Sequence, residues 1–550
     1  MNSQPTVYKT VALPIAPLQQ GRERGPRPPE IVPEGAGVSE TARATRVAPV
    51  SSLLDSLRST FTASGRIATI DAAKAAPPPS PLAPVDLTDQ AQVAAVMDIA
   101  ARIGDILLSS GTSNSDTRAQ IHAVTSAYGL HYCHVDITMN TITIFTTIGT
   151  TRKTPVNVFR VVRRMTTDFS RLSEVDRLIR SIQAGATPPE VAENILDDLS
   201  AKPTAYGIWT AIMGWGLLGG SVAGLLGGGA LVIITAFLTA VLIMTLNTWL
   251  DRKGLPYFFQ NMFGGIIATL PAAIIYNLAA DVGVRISPGQ VIASGIIVLL
   301  AGLTLVQSLQ DGITGAPVTA SARFFEALLF TGAIVAGVGV GIQVSVLIGV
   351  PLPPLEIIPT SGFTTSTVRV VCGGLAAAGF AIACYAEWSS VFISGLSALA
   401  GSAFYYFLLV PVGVGPVIGA SLSAVVIGLA GGLLARRFLI PPLITAIAGI
   451  TPFLPGLTVY RGMHSMMNEQ TLLGFTSIVV ALATAGGLAA GVVLGEWVAR
   501  RLRRPPPLNP YRYFRAARRN TFQQMARQKA AARRAQSERP RGRVRKFPRQ

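Results

Sequence analysis

Charged side chains are scarce in the apolar part of this chain, so each of them is a candidate for chemistry. Asp311 and Glu326 stand on either side of a short connection between two apolar stretches. A carboxyl group inside a bilayer is costly, and where one is found it commonly relays protons. We therefore predict that Asp311 and Glu326 exchange protons. The competing interpretation makes Asp311 a loop residue at the membrane surface.

Two segments, residues 286–304 and 440–458, align without a gap at a constant offset of 154, with eight identities in nineteen positions. Both end in Gly-Leu-Thr, which indicates an internal duplication. The second segment contains Thr451-Pro452-Phe453-Leu454-Pro455-Gly456, which cannot stay one α-helix because each proline removes a backbone donor. The first has Ala301 where the second has Pro455, which predicts a softer break.

Interrupted helices at matching positions of two halves are a sequence indicator of a binding site in membrane carriers. An amino-acid zwitterion needs an acceptor for its ammonium group and donors for its carboxylate, and polar groups near the two breaks could supply both. Tyr460 and Arg461 follow the second Gly-Leu-Thr. The predicted substrate-binding residues are Gly302, Thr304, Gln307, Asp311, Pro455, Gly456, Thr458 and Arg461.

The elements that must position these residues are membrane helices. Of 550 residues, 50% are hydrophobic and only 13% are charged. From Gly207 onward, apolar stretches of about 20 residues follow one another, the length that spans a bilayer as an α-helix. We predict ten spans. Two copies of five helices must face opposite ways, because each copy crosses the membrane an odd number of times. The predicted fold class is therefore a polytopic α-helical membrane protein built as a 5+5 inverted repeat, with a small N-terminal α+β domain.

Composition divides the chain into five predicted segments. Within the second, we predict helices near 89–111 and 114–128, strands at 130–137 and 141–148, and helices at 155–170, 173–184 and 188–199. The five segments are a disordered Pro/Ala/Arg-rich stretch at 1–88, a soluble cytoplasmic α+β domain at 89–203, transmembrane halves at 204–350 and 351–499, and a basic disordered tail at 500–550.

The net charge of +18 suggests a nucleic-acid partner until it is located along the chain. Residues 500–550 carry 18 Lys or Arg and one acid, so the tail holds nearly all of the excess. A basic extension beside an anionic leaflet more simply attracts lipids and fixes topology, with both termini in the cytoplasm. We expect no nucleic-acid partner. The N-terminus shows no cleavable signal, and the three cysteines have no metal-binding spacing.

The chain resembles the threonine/serine exporter (ThrE) family across roughly residues 95–500. The resemblance rests on the stretch from Arg102 to Gly111, on Asp311 with Gly315 and Arg323 after it, and on Leu454-Pro455-Gly456. It implies a multi-pass bacterial plasma-membrane protein that exports L-threonine and L-serine, driven by the proton motive force. It implies protons and a small-molecule substrate as partners and leaves a homo-oligomer open. Arg118 departs from the family, where relatives often carry Glu.

Other functions stay open at this stage. Related two-component members are linked to dicarboxylate export, and a channel is not excluded. An enzyme is the remaining class, since His122, His131, His134 and Asp136 lie together in the α+β domain and suggest a hydrolase-like pair. No GxSxG, HExxH or other nucleophile context accompanies them. We therefore expect no enzyme, no cofactor and no metal site.

Overall fold

The computed structural model describes residues 89–148, 154–162, 168–185, 187–281, 286–299, 301–352, 363–467 and 469–502. The predicted N-terminal segment 1–88 and nearly all of the predicted tail 500–550 lie outside these residues.

Residues 89–202, called the N-terminal region below, combine helices with one antiparallel sheet of strand order β1-β2-β3. The turn between the first two strands is two residues long, because Thr138 pairs with Thr141, and Met139 takes the left-handed conformation there (φ 50°). The elements are α1 (Gln90–Ser109), α2 (Asn114–Ala127), β1 (His134–Thr138), β2 (Thr141–Ile148), β3 (Thr154–Val161), α3 (Phe169–Gln183) and α4 (Pro189–Ala201).

The helix predicted at 155–170 is wrong, since β3 occupies its first half. β3 pairs with β2 along its whole length, from Thr154 opposite Ile148 to Val161 opposite Thr141. Val156, Val158 and Arg160 are the less exposed residues of this segment and alternate with exposed ones, a period of two that favours a strand over a helix. Arg160 also ties the strand to α1 through Asp105, at 2.8 Å.

The rest of the described chain is helical. In chain order the helices are α5 (Ile208–Leu225), α6 (Ala230–Arg252), α7 (Tyr257–Asp281), α8 (Pro288–Val298), α9 (Ala301–Ile313), α10 (Pro317–Leu347), α11 (Phe363–Ala383), α12 (Trp388–Ala403), α13 (Pro416–Phe438), α14 (Pro442–Ile450), α15 (Gly456–Met467) and α16 (Thr471–Leu502). A π-helical turn, Phe404–Leu409, extends α12, and a 3₁₀ turn, Thr451–Phe453, follows α14.

Among the described residues, eight helices are long and apolar enough to cross a membrane, or up to ten spans if each of two bent pairs counts as one. The bent pairs are α8 with α9 and α14 with α15. The protein is therefore a polytopic helical membrane protein.

Helices α5 and α11 cross at two glycines. A Cβ atom built on Gly214 would lie 2.8 Å from the carbonyl oxygen of Gly379, and one built on Gly379 would lie 2.9 Å from that of Gly214. Small residues at such crossings let membrane helices approach backbone to backbone. This crossing packs the first membrane helix, α5, closely against α11.

Candidate functional site

The two bent pairs meet at their breaks. Each pair bends by 47°. A Cβ atom built on Gly302, near the start of α9, would lie 2.8 Å from the backbone nitrogen of Gly456, the first residue of α15. The two interruptions that the sequence predicted therefore contact each other through backbone atoms.

The second break has an evident cause in its sequence. Pro452 and Pro455 each lack a backbone donor, so the helix tightens to a 3₁₀ turn and then opens at Leu454 (φ −59°, ψ 133°) before α15 begins. The first break has no proline, yet it bends by the same 47°. The prediction of a softer first break is wrong as far as the angle is concerned.

Two half-helices start at this contact. The first amides of a helix have no partner within it, and its N-terminus carries a partial positive charge. Because α9 begins at Ala301 and α15 at Gly456, two such ends lie side by side at the Gly302–Gly456 contact. This is the arrangement that binds anionic groups such as carboxylates.

A small cavity lies beside the contact. Apart from Gly302 and Gly456, two residues that carry hydroxyl groups line the cavity, Thr331 and Tyr460. The space open to the centre of a water molecule is about 10 Å³, roughly what one water needs. The remaining wall is aliphatic and consists of Ile296, Ile297, Ile334 and Leu454. An amino acid does not fit in this volume.

The Tyr460 hydroxyl is buried in this wall without a hydrogen-bond partner among the described residues, and its side chain is only 4% exposed. The ring stacks on His464, with centroids 5.6 Å apart and planes 16° from parallel. Thr331 is also buried, and its hydroxyl donates to the carbonyl oxygen of Ala327 at 2.7 Å. The hydroxyl of Thr331 therefore keeps free lone pairs that can accept.

Asp311, at the far end of α9, forms a buried ion pair. Its Oδ2 accepts from Arg323 Nη1 of α10 at 2.6 Å, and the two side chains are 1% and 7% exposed. Glu326 lies one helical turn beyond Arg323 and is half-buried. One guanidinium thus stands between the two carboxyl groups predicted to exchange protons.

The N-terminal region holds this end of α10. Thr319 Oγ1 accepts from the Asn114 side-chain amide at 2.8 Å and from the backbone amide of Met139 at 3.1 Å. Asn114 and Thr319 are each 2% exposed. The loop before α2 reaches α9 as well, because a Cβ atom on Gly111 would lie 3.2 Å from Gln307 Nε2.

The same region contacts two further connections between membrane helices. Arg177 pairs with Glu387 before α12, and the backbone amide of Phe169 donates to the carbonyl oxygen of Cys384 at 2.9 Å. Arg180 Nη2 donates to the carbonyl oxygen of Leu439, after α13, at 2.8 Å. The N-terminal region therefore spans the connections α9–α10, α11–α12 and α13–α14.

The predicted site residues fall into separate places. Gly302 and Gly456 line the cavity and Pro455 is buried beside it, whereas Thr304 and Thr458 are half-buried within the first turn of their helices. Gln307 lies against the N-terminal region, Asp311 is bound by Arg323, and Arg461 is exposed. The charges predicted to hold the two ends of a zwitterion thus lie outside the cavity wall.

Several residues of the site escaped the predicted set. Tyr460 stood next to a predicted residue, but an unpaired hydroxyl is a property of packing that sequence does not show. Thr331 is a single hydroxyl in a long apolar run, and its spacing gives no signal. Asn114 and Thr319 are 205 residues apart in sequence, so only the fold brings them together.

His122, one of the histidines that suggested a hydrolase-like pair, is half-buried near Arg118 and His134. Burial, then the charges of Arg118 and His134, lower the pKa of His122 below its usual value and favour its neutral form. Asp136 is exposed and lies 4.0 Å from Arg118. In the part of the chain that the structure describes, no group of three or more His, Cys, Asp or Glu residues could hold a metal ion.

Two interrupted spans that meet at a small cavity inside a polytopic helical body define a membrane transporter. Residues 98–345 match the family described as "Putative threonine/serine exporter", and residues 369–498 match the one described as "Threonine/Serine exporter, ThrE". The chain belongs to the threonine/serine exporter family.

Individual relatives agree with this assignment. The chain is 67% identical over 464 residues to a protein named threonine/serine exporter from Corynebacterium glutamicum, covering 84% of this chain and 94% of the relative. It is 38% identical over 416 residues to a probable threonine/serine exporter from Mycobacterium tuberculosis, covering 74% of this chain and 77% of the relative. No solved structure matches the chain.

Proposed function

We propose that this protein exports L-threonine and L-serine across the plasma membrane by alternating access, coupled to the proton motive force. The observation that carries the proposal is the meeting of the two broken spans at Gly302 and Gly456. The names of the relatives supply the substrate class. In the proposed site the α-carboxylate lies between the helix N-termini at Ala301 and Gly456. The binding residues proposed from the sequence are Gly302, Thr304, Gln307, Asp311, Pro455, Gly456, Thr458 and Arg461.

An inverted repeat is part of the proposal. Helix α14 begins 154 residues after α8, at Pro442 and Pro288, and α16 begins 154 residues after α10, at Thr471 and Pro317. Packing repeats in the same way, because α7 packs on α10 as α13 packs on α16, and α8 packs on α6 as α14 packs on α12. With five spans in each half, such halves face opposite directions and can exchange conformations.

The proposed orientation places the N-terminal region in the cytoplasm. If each bent pair counts as one span, the connections α9–α10, α11–α12 and α13–α14 alternate onto one face, and the N-terminal region contacts all three. Arg252, Lys253 and Arg437 belong to that face. An excess of basic residues marks the cytoplasmic side of a membrane protein.

Proton coupling is proposed at Asp311 and Glu326. A proton on Asp311 removes the charge that Arg323 neutralises, so the guanidinium becomes free to pair with Glu326 one turn away. Such a switch would loosen α9 from α10 at the end that the N-terminal region holds. The carboxyl groups would thereby link protonation to opening of the first half.

The experiment is efflux of labelled L-threonine or L-serine from proteoliposomes under an imposed proton gradient. We expect efflux that depends on the gradient in the wild type and that loses this dependence in Asp311→Asn. Asp281→Asn, which changes an exposed carboxyl group at the end of α7, is the matched control. Absence of threonine and serine efflux in the wild type would contradict the proposed function. Gradient-driven efflux that persists in Asp311→Asn would remove only the proposed coupling site.

A further inference from the structure

The cavity at the two breaks is mostly aliphatic, and only two of its lining residues carry polar side chains. Its aliphatic wall comes from both broken spans and α10, but its side-chain hydroxyls are confined to Tyr460 and Thr331. The positions 154 residues away from these two are Val306 and Ala485, so the repeat does not duplicate the hydroxyl pair. Thr331 belongs to the first proposed half and Tyr460 to the second, so each half contributes one hydroxyl that the other half lacks at the matching position.

The Tyr460 hydroxyl is the unusual member of the pair. A buried hydroxyl that pairs with nothing is costly, and native proteins rarely keep one without a reason. Stacking on His464 fixes the ring of Tyr460, which lines the cavity, and its hydroxyl keeps its hydrogen-bonding capacity unused. Tyr460 is thus held as a rigid donor and acceptor, at the place where the two helix N-termini meet.

The pair is complementary to an alcohol. Thr331 already donates to the carbonyl oxygen of Ala327, so its hydroxyl can only accept a further hydrogen bond, whereas the hydroxyl of Tyr460 can donate. A ligand that donates to one and accepts from the other satisfies both, and a hydroxyl group does this. A carboxylate cannot donate to Thr331, and an ammonium group cannot accept from Tyr460. The aliphatic wall beside them suits the methyl group of threonine.

We infer that Tyr460 and Thr331 bind the side-chain hydroxyl of the transported amino acid and make the protein selective for hydroxy amino acids over their deoxy analogues. The inference rests on the proposed function, because it assigns a role within that binding site. A site built to pair a hydroxyl rejects an analogue without it, since its own polar groups then stay buried and unpaired. Threonine and serine share this hydroxyl, whereas 2-aminobutyrate and alanine are the same molecules without it.

The test is selectivity measured with the full chain in proteoliposomes. Initial rates are compared for L-threonine against L-2-aminobutyrate and for L-serine against L-alanine, in the wild type, Tyr460→Phe and Thr331→Val. We expect the wild type to prefer the hydroxy amino acid by roughly tenfold or more. In Tyr460→Phe the preference should fall to about threefold or less, mainly because hydroxy substrates slow. Thr331→Val, which keeps the shape of the side chain, should shift the ratio in the same direction.

A stability measurement separates recognition from a structural role. Tyr460→Phe removes a hydroxyl without a partner in this conformation, so its melting temperature should stay equal to that of the wild type or rise. Tyr276→Phe, in α7 and away from the cavity, controls for loss of a membrane tyrosine. Wild-type selectivity ratios retained in both cavity variants would overturn the inference while leaving threonine and serine export intact. Equal loss of all four substrates in Tyr460→Phe would also overturn it. Lack of any threonine or serine transport by the wild type is the separate result that removes the proposed function.

Discussion

The two broken spans have the same outline and different surroundings. Both bend by 47°, and their breaks touch at Gly302 and Gly456. The end of the first span that lies away from the break carries Asp311, which is buried against Arg323. Asp311 also lies near Thr319, where the N-terminal region is attached. In the second half, the residues that match Asp311, Arg323 and Thr319 at the offset of 154 are Ser465, Ser477 and Leu473. Leu473 is 57% exposed. The first span is therefore held at its far end by an ion pair and by the N-terminal region, whereas the second is held by that region at its start, where Arg180 donates to Leu439.

The two breaks have the same bend angle, but different interactions hold them. The second break is set by prolines in its own sequence, so its shape is local. The first break lacks prolines and must be held by its contacts. If the halves exchange conformations, the first span must release the Asp311–Arg323 pair and the Asn114–Thr319 contact at its end, whereas the second must release the Arg180–Leu439 contact at its start.

The contact between the breaks offers the sharpest test of this comparison, and its two sides are unequal. Gly302→Ala would place a methyl group 2.8 Å from the backbone nitrogen of Gly456, whereas Gly456→Ala would place one 3.8 Å from the backbone nitrogen of Gly302. Backbone atoms cannot move aside as side chains do. We expect Gly302→Ala to lower efflux of threonine by about tenfold or more, through overpacking of about 1–3 kcal/mol. Gly456→Ala should change efflux by less than about twofold, since its contact is of ordinary length. Similar losses in the two variants would contradict the observed packing of the breaks.

The buried ion pair tests the anchor of the first span. Arg323→Gln leaves the carboxylate of Asp311 buried without its partner, and we expect the free energy of unfolding to fall by about 3–5 kcal/mol. The double variant Asp311→Asn with Arg323→Gln should recover part of this loss, because no isolated charge remains. Thermal or chaotrope unfolding in detergent measures both. Asp136→Asn, in the exposed pair with Arg118, is the control and should cost less than about 1 kcal/mol. Additive effects of the two single variants would mean that the pair is not coupled.

The attachment of the N-terminal region gives a smaller expected effect. Thr319→Val removes the acceptor of the Asn114 side-chain amide and of the Met139 backbone amide, which should cost about 1–3 kcal/mol. Hydrogen exchange at the turn between β1 and β2 should become faster, because the Met139 amide loses its partner. Ser321→Ala is the matched control, since the Ser321 hydroxyl is exposed and donates only to the carbonyl oxygen of Val318 nearby. Unchanged exchange at Met139 in Thr319→Val would show that this attachment does not hold the region in solution.

The helical membrane part and the two helix breaks could be predicted from the sequence, because both depend on local sequence patterns. Long apolar runs, Gly-Leu-Thr and the Pro-Gly step need no knowledge of distant contacts. The prediction failed at β3, where a period of two was assigned to a helix, and at the angle of the first break, which contacts set rather than a proline. It also named Gly302 and Gly456, where the two breaks meet, and Tyr460 nearby, but not Thr331. Tyr460 and Thr331 acquire their meaning only when α10 packs beside α15.

The attachment of the N-terminal region to three connections has a mechanical consequence. Thr319 lies in the first proposed half, whereas Glu387 and Leu439 lie in the second, so one folded layer is pinned to both. If the halves rock against each other, the distance between these pins changes, and the layer must either flex or let go of one of them. The N-terminal region would then act as an elastic link between the two proposed halves. The energy needed to stretch or detach it would add to the energy of every opening.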